Sequence, residues 1–465
     1  MRRIVLVTLL SALAVPAEAQ VDAATRAGID SIFSDLDRSN APGCAVGVAR
    51  AGDLVFERGY GMGNLDHRIP LDGSSVFYLA SVSKQFTAAA ILVAEHEGFL
   101  SRDDLVREHI PEFPDYGEPV TIRHLVHHTS GVRDYLTLMW LAGTPLENVL
   151  SDEDMLGLIH RQKELNFRPG SEYLYSNSGY VLLAEIVRRA TGRSLREYAN
   201  EKIFRPLAMG DTHFHDDRHH VVARRVFSYD PGEAGDWRTS YLMNFDKVGD
   251  GGLYSTVRDL ARWDAAFYED RLGIPGFDDA MYERGVLQSG DTIAYAAGLG
   301  VEDWRGVRRV EHSGSLMAFR TQITRYPDDR TTTIVLCNTS TLPPGLGGRL
   351  AEVLLPELVP EPPAAGNSNP SSAETPEDSP EADPSEFDLE PLAGDYYSEE
   401  LESTWTMRVA EGLLAIHHPS GDVIELATDD GVTFRRGGVE LTFDGPREFL
   451  LQAGRVKNLR FTRLR

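Results

Sequence analysis

Ser81-Val-Ser-Lys84, followed by Gln85-Phe-Thr-Ala-Ala-Ala-Ile-Leu-Val-Ala94 and closed by Gly98, is the stretch on which the reading of this chain turns. The apolar run and the terminal Gly predict a helix over Ser81 to Gly98. A helix N-terminus carries unpaired backbone N–H groups and partial positive charge, which suit an alkoxide-like nucleophile and an oxyanion. The i, i+3 spacing stacks Ser81 and Lys84 on one face. Burial there lowers the lysine pKa, so a neutral amine becomes available as a base. Ser-x-x-Lys is a common pattern, and a helix cap beside a solvated Lys is its plain alternative. Composition weighs against chance: the chain holds five Lys among 46 basic residues, and only Lys84 has Ser three positions earlier. We therefore read Ser81 as a nucleophile and Lys84 as its base.

Two other short motifs supply partners. Tyr175-Ser-Asn177 follows Pro169-Gly170 in a loop, where reactive groups are commonly presented. Its phenol can relay protons if Lys84 helps to ionise it, and its amide can hold the lysine and a substrate carbonyl. A second copy, Tyr198-Ala-Asn200, lies inside a helical stretch. Taken alone, Tyr175 reads as a packing aromatic. His312-Ser-Gly314 lies at a strand edge, where Gly314 lets a backbone approach a substrate closely. The N–H of Ser315 then becomes a second oxyanion donor beside that of Ser81. Taken alone, this motif is a strand end turning at Gly.

Working outward, residues 22–39 form an amphipathic pattern with Ile29, Ile32, Phe33 and Leu36 on one stripe. Cys44 to Ala49 and Leu54 to Tyr60, joined through Ala51-Gly-Asp53, read as a hairpin. Helical patterns cover Thr121 to Thr129, Tyr180 to Ala190 and Thr256 to Phe267, the last with a capping-box pattern at Thr256-Val-Arg-Asp259. Strand patterns return at Val307 to His312, Phe319 to Tyr326 and Thr331 to Cys337. Strands at both ends with helices between them predict an α+β fold in which the ends meet in one antiparallel sheet.

The ordered set Ser81-x-x-Lys84, Tyr175-x-Asn177, His312-Ser-Gly314 resembles the active-site serine penicillin-recognising family, especially its class C β-lactamase-like branch. Thr121-Ile-Arg-His-Leu-Val-His-His-Thr-Ser-Gly131 and Gly249-Asp-Gly-Gly-Leu-Tyr-Ser-Thr-Val-Arg-Asp-Leu260 extend the likeness over about residues 25–355. The resemblance implies a β-lactamase/transpeptidase-like α+β fold, with an antiparallel sheet flanked by helices plus a helical subdomain. It also implies an acyl-enzyme on Ser81 and the family tyrosine's role for Tyr175. His312 stands where β-lactamases usually carry Lys. A neutral imidazole lacks the fixed charge that holds a substrate carboxylate. This turns the expectation towards esters or D-amino-acid amides, as in D-aminopeptidases and esterases of the family. A β-lactamase or D-Ala-D-Ala carboxypeptidase is the alternative, and a non-catalytic penicillin sensor or binding protein a further one.

The flanks set the context. Arg2-Arg3, the apolar Ile4 to Leu13 and Ala17-Glu-Ala19 have the layout of a secretory signal peptide over 1–19, so a periplasmic or secreted protein is expected. The hydrolase domain is expected over 20–358. Residues 359–388, rich in Pro, Glu, Asp and Ser, read as a disordered acidic linker. Residues 389–465 alternate in short runs such as Trp405/Met407/Val409 and Leu459/Phe461, which predicts a small antiparallel β-barrel. That tail resembles the lipocalin-like appendage of many family members. Its role is left open, as is the oligomeric state. A net charge of −25 argues against nucleic acid or an anionic membrane as partner, leaving a small-molecule or short-peptide substrate. Cys44 and Cys337 are either two small buried hydrophobes or a disulfide, if their strands are neighbours in register. His124, His127 and His128 read as packing and loop-bracing residues. His213, His215, His219 and His220 read as an exposed polar loop. No metal and no cofactor is expected.

Overall fold

The computed structural model describes residues 20–240, 244–343, 345–357 and 387–465. The expected signal peptide and nearly all of the expected linker lie outside the described residues.

The first domain is built on six strands: β1 (Cys44–Arg50), β2 (Asp53–Tyr60), β3 (Gly300–Trp304), β4 (Val307–Leu316), β5 (Phe319–Tyr326) and β6 (Thr331–Cys337). Their spatial order is β3-β4-β5-β6-β1-β2, with every pairing antiparallel. The β1–β2 turn places Ala51 at φ 50° and Gly52 at φ 87°, the left-handed pair that a tight two-residue hairpin needs. Strand β1 lies beside β6 with Cys44 opposite Cys337, so the two ends of the domain do meet in one sheet. The two cysteines are fully buried and joined as a disulfide. Strand β4 runs four residues beyond the expected end at His312, which keeps Ser313 to Leu316 on the ladder with β5.

Five helices position the site: α1 (Ala23–Phe33), α2 (Lys84–His96), α3 (Asn177–Thr191), α4 (Val257–Ala265) and α5 (Leu346–Leu354). Helix α1 is shorter than its sequence stripe and passes into a 3₁₀ turn over Ser34–Leu36. It packs with α5 on one sheet face, burying Ile29, Phe33, Val46, Val335 and Leu350 together. Helices α2 and α4 lie in the larger core on the other face, with Phe86, Ile91, Leu260 and Trp263 fully buried. The capping box at α4 is half formed. Thr256 accepts from the Asp259 N–H at 3.1 Å, while the Asp259 carboxylate turns to the Asp211 N–H and the Thr212 hydroxyl.

The C-terminal domain is a nearly closed eight-stranded antiparallel barrel. Its strands are β7 (Gly394–Ser398), β8 (Ser403–Ala410), β9 (Leu413–His417), β10 (Val423–Leu426), β11 (Thr433–Arg436), β12 (Val439–Phe443), β13 (Glu448–Ala453) and β14 (Val456–Arg463). They run β10-β9-β8-β7-β14-β13-β12-β11, and reciprocal Ala427–Arg435 hydrogen bonds of 3.0 and 2.8 Å draw the two edges together. The barrel docks on the helical subdomain. Buried Arg133 donates to the Glu400 carboxylate at 2.6 Å and to the carbonyls of Lys457 and Asn458 at 2.9 and 2.8 Å. The Trp405 indole donates to the Leu141 carbonyl at 2.9 Å. Asn166 clamps the tip of the β13–β14 hairpin, donating to the Arg455 carbonyl at 2.9 Å and accepting from the Lys457 N–H at 2.7 Å.

Candidate active site

Ser81 lies on a 3₁₀ turn, Ala80–Ser83, that runs directly into α2. The helix predicted from Ser81 onward therefore begins as a tighter turn. Ala80 sits at φ 48°, an uncommon left-handed conformation for a residue with a Cβ. The Ser83 hydroxyl braces this turn by donating to the Ala80 carbonyl at 2.6 Å. Strand β4 passes against it at Gly314. A Cβ there would lie 2.2 Å from the Leu79 carbonyl and 3.1 Å from the Ser81 nitrogen, so only glycine permits the approach. The Thr321 hydroxyl of β5 donates to the same Leu79 carbonyl at 2.7 Å and ties sheet to turn.

Lys84 is fully buried, with its Nζ 3.3 Å from the Ser81 Oγ. It donates to the Asn177 Oδ1 at 2.8 Å and to the Asp250 carbonyl at 2.7 Å. Burial is the main force pushing its pKa down to about 7, with Asp250 opposing and Lys247 assisting. A neutral amine has two protons and one lone pair. Two fixed acceptors take the protons, which leaves the lone pair towards Ser81. Asp250 is itself held by Lys247 at 2.5 Å and by the Tyr135 hydroxyl at 2.9 Å, and its carboxyl stays below the ordinary range despite burial.

Tyr175 and Asn177 join the same cluster. The Lys84 Nζ lies 4.8 Å from the Tyr175 ring centroid. Burial pushes the Tyr175 phenol well above its ordinary pKa, against a hydrogen bond with Ser81. Its surroundings thus favour the protonated phenol, a proton donor, over the ionised form considered from sequence. Asn177 opens α3, and Asp134 fixes it. One carboxylate oxygen accepts both the Asn177 backbone N–H at 2.7 Å and its side-chain Nδ2 at 2.8 Å. His128 braces Tyr175 from behind, at 4.2 Å between rings, and accepts the Ser176 N–H at 3.1 Å. Its burial among tyrosines holds its pKa well down. His124 likewise braces its loop, accepting the Thr121 N–H at 3.2 Å, and His127 is buried.

His312 is buried, with Nδ1 2.7 Å from the Ser313 carbonyl and Nε2 3.0 Å from the Tyr295 hydroxyl. The carbonyl requires a proton on Nδ1, so Nε2 accepts from Tyr295. Burial, reinforced by Lys84, pushes the imidazole down to about 4, so it is uncharged at neutral pH. Ser81, Tyr175, Asn177, His312 and Ser315 all line one cleft of about 410 Å³. Gly314 lies behind it. Every site residue named from sequence is thus gathered here. Asp134, Lys247, Asp250, Tyr295 and Arg455 were not foreseen. Asp250 lies inside the quoted Gly249 stretch and Lys247 two residues before it, but Arg455 belongs to the barrel, and no local pattern points from there to the cleft.

The histidine loop differs from its expected exposed state. His213 and His215 pack on Tyr254 with centroids 5.8 and 4.9 Å away, and burial pushes them down to about 3 and about 4. His219 and His220 are exposed. Among the described residues, no group of three or more His, Cys, Asp or Glu is arranged to hold a metal ion. No described helix is long and apolar enough to cross a membrane.

A serine on a strained turn, a buried lysine against it, and a sheet strand closing the cleft define a serine hydrolase. The chain belongs to the beta-lactamase family, whose profile matches residues 29–355. It is 31% identical over 328 residues to penicillin-binding protein 4* of Bacillus subtilis, covering 67% of this chain and 72% of that one. It is 30% identical over 302 residues to D-aminopeptidase of Brucella canis, covering 64% of this chain and 56% of the relative's length. The octameric penicillin-binding protein homologue from Pyrococcus abyssi shares the fold, with a TM-score of 0.62 at 22% identity over 94% of this chain and 98% of that chain.

Proposed function

We propose that the protein hydrolyses an ester or an amide through an acyl-enzyme on Ser81, as an esterase or D-aminopeptidase-like enzyme. The observation that carries this reading is the buried Lys84 amine, 3.3 Å from the Ser81 Oγ and with a pKa near neutrality. The Ser81 proton passes to Lys84 as Oγ bonds to the substrate carbonyl carbon. The resulting oxyanion is held by the N–H groups of Ser81 and Ser315. Tyr175 donates its proton to the leaving group as that bond breaks and is reprotonated from Lys84. Water then attacks the acyl-enzyme and gives a proton to Lys84, which returns it to the Ser81 Oγ as the acyl–oxygen bond breaks and a free acid leaves. Asn177 keeps Lys84 aimed throughout. The relative named D-aminopeptidase supports the amide side of this reading. The N-terminal Arg2-Arg3 pattern and the paired cysteines support action outside the cytoplasm.

A fluorophosphonate probe is expected to label the wild-type chain and to leave Ser81→Ala unlabelled; equal labelling of the two refutes the assignment. The relative named a penicillin-binding protein favours a second reading, lactam or D-Ala-D-Ala turnover. Nitrocefin turnover or a long-lived penicillin adduct on Ser81 would select it.

A further inference from the structure

The cleft holds a cation that the reaction above does not use and that no carboxylate holds at hydrogen-bond distance, and it comes from the other domain. Arg455, at the tip of the β13–β14 hairpin, lines the cleft together with Ser81 and Ser315. Its guanidinium carbon lies 4.7 Å from the Tyr175 ring centroid. Its ion partner, Asp134, is 3.8 Å away, beyond direct hydrogen-bond distance. Both Asp134 oxygens are already engaged, one by the Thr137 N–H at 3.1 Å and the other by Asn177. Asp134 therefore stands beside Arg455 without taking up its donors. The Arg455 side chain remains 39% exposed, although its backbone is clamped by Asn166.

The remaining charges of the cleft are spoken for. Lys247 is paired with Asp250 at 2.5 Å. His312, at the position where a fixed positive charge would hold a substrate carboxylate, is neutral because of its burial, reinforced by the nearby Lys84. Arg455 supplies that missing charge from the opposite domain. A guanidinium offers a planar fork of N–H donors that matches a carboxylate bidentately.

The two lobes beside Ser81 indicate which half of the substrate carries the charge. Ser81 lines the lobe that holds Arg455. A neighbouring lobe, lined by Tyr173, Tyr295 and His312, is reached past Tyr175. The acyl group stays bonded to Ser81, which lines the first lobe only, while Tyr175, the proton donor to the leaving group in the reaction proposed above, borders the second; this arrangement favours the acyl group in the first lobe and the leaving group in the second.

We propose that Arg455 of the barrel is a substrate-reading residue, and that the enzyme prefers substrates whose acyl part carries a free carboxylate. This rests on the acyl-enzyme reading of Ser81 and names its substrate class. It also gives the barrel a task, since without it the cleft lacks this cation.

The test compares two esters of similar size on the full-length chain, uncharged p-nitrophenyl butyrate and mono-p-nitrophenyl succinate. Wild type is expected to favour the succinate ester in kcat/KM by about tenfold or more. Arg455→Gln should collapse that ratio, Arg455→Lys should restore part of it, and Arg455→Glu should invert it. A wild-type ratio at or below unity overturns the proposal. So does an Arg455→Gln variant that slows both esters equally, which is the mark of a purely structural role. Binding of both esters is measured separately in Ser81→Ala, with and without Arg455→Gln. If wild type turns over neither ester, the hydrolase reading fails by itself. Tighter binding of the succinate ester, lost with Arg455→Gln, then still sustains this proposal, and equal binding overturns it.

Discussion

At the residue scale, the proposed chemistry depends on keeping Lys84 uncharged. Its pKa is pushed down to about 7 by burial, from an ordinary 10.5. Below that point the amine is protonated and cannot accept the Ser81 proton. For an uncharged ester, kcat/KM is expected to climb about tenfold per pH unit up to about pH 7 and then level off. Lys84→Met should remove the inflection and cost about 10²–10⁴-fold; a profile unchanged by that substitution would place the base elsewhere. The same shift has a stability sign. Between about 7 and 10.5 the unfolded chain binds more protons than the folded one, so stability rises with pH across that window. His127, His215 and His312, each pushed down from 6.5 to about 4 by burial, act in the same direction at lower pH. The melting temperature should fall as pH drops from 6.5 towards 4, and a scan at constant ionic strength reads it directly. Asp134 is the residue on which aim depends. With Asp134→Ala, Asn177 loses both of its anchors, and kcat/KM should drop about 100-fold while Ser81 and Lys84 stay in place. Unchanged turnover in this variant would show that Asn177 needs no such anchor.

At the scale of elements, the site depends on how closely β4 presses on the turn before α2. Gly314→Ala drives a methyl group into the Leu79 carbonyl, 2.2 Å from its ideal position. Strand and turn must part, at a cost of about 1–3 kcal/mol, and the separation between Ser81 and Ser315 changes with them. Activity should fall far more than stability; a fully active Gly314→Ala would show that this contact does not set the oxyanion geometry. The sequence marked most of these elements correctly. The β1–β2 hairpin, α2 and α3 are strongly periodic or punctuated by Gly, so local pattern sufficed. The continuation of β4 through Ser313 to Leu316 was not legible, because that register is imposed by pairing with β5. The half-formed capping box at Asp259 has the same origin. Thr212, distant in sequence, offers that carboxylate a better partner than its own helix does.

At the scale of the whole molecule, the barrel is held to the catalytic domain by a buried ion pair and not by the linker alone. Arg133 and Glu400 have 0% and 5% exposed side chains. Removing one partner leaves an uncompensated buried charge, so Arg133→Ala should destabilise the chain by about 3–5 kcal/mol. Calorimetry should then resolve two transitions where the wild type gives one, because the domains no longer unfold together. A single unshifted transition would mean that the interface does not couple them.

Ser81, Lys84, Tyr175, Asn177 and His312 could be named as candidates from the sequence by itself because each sits in a short motif whose spacing or neighbours suit the proposed chemistry. The α+β order of strands and helices was legible for a similar reason, since hydrophobic period is a local property. Only the tertiary structure decided that Cys44 faces Cys337, that Asp134 anchors Asn177, and that Arg455 enters the cleft. These pairs are brought together by sheet order and domain docking, which follow from burying surfaces far apart in the chain, and no window of sequence contains both partners of such a contact.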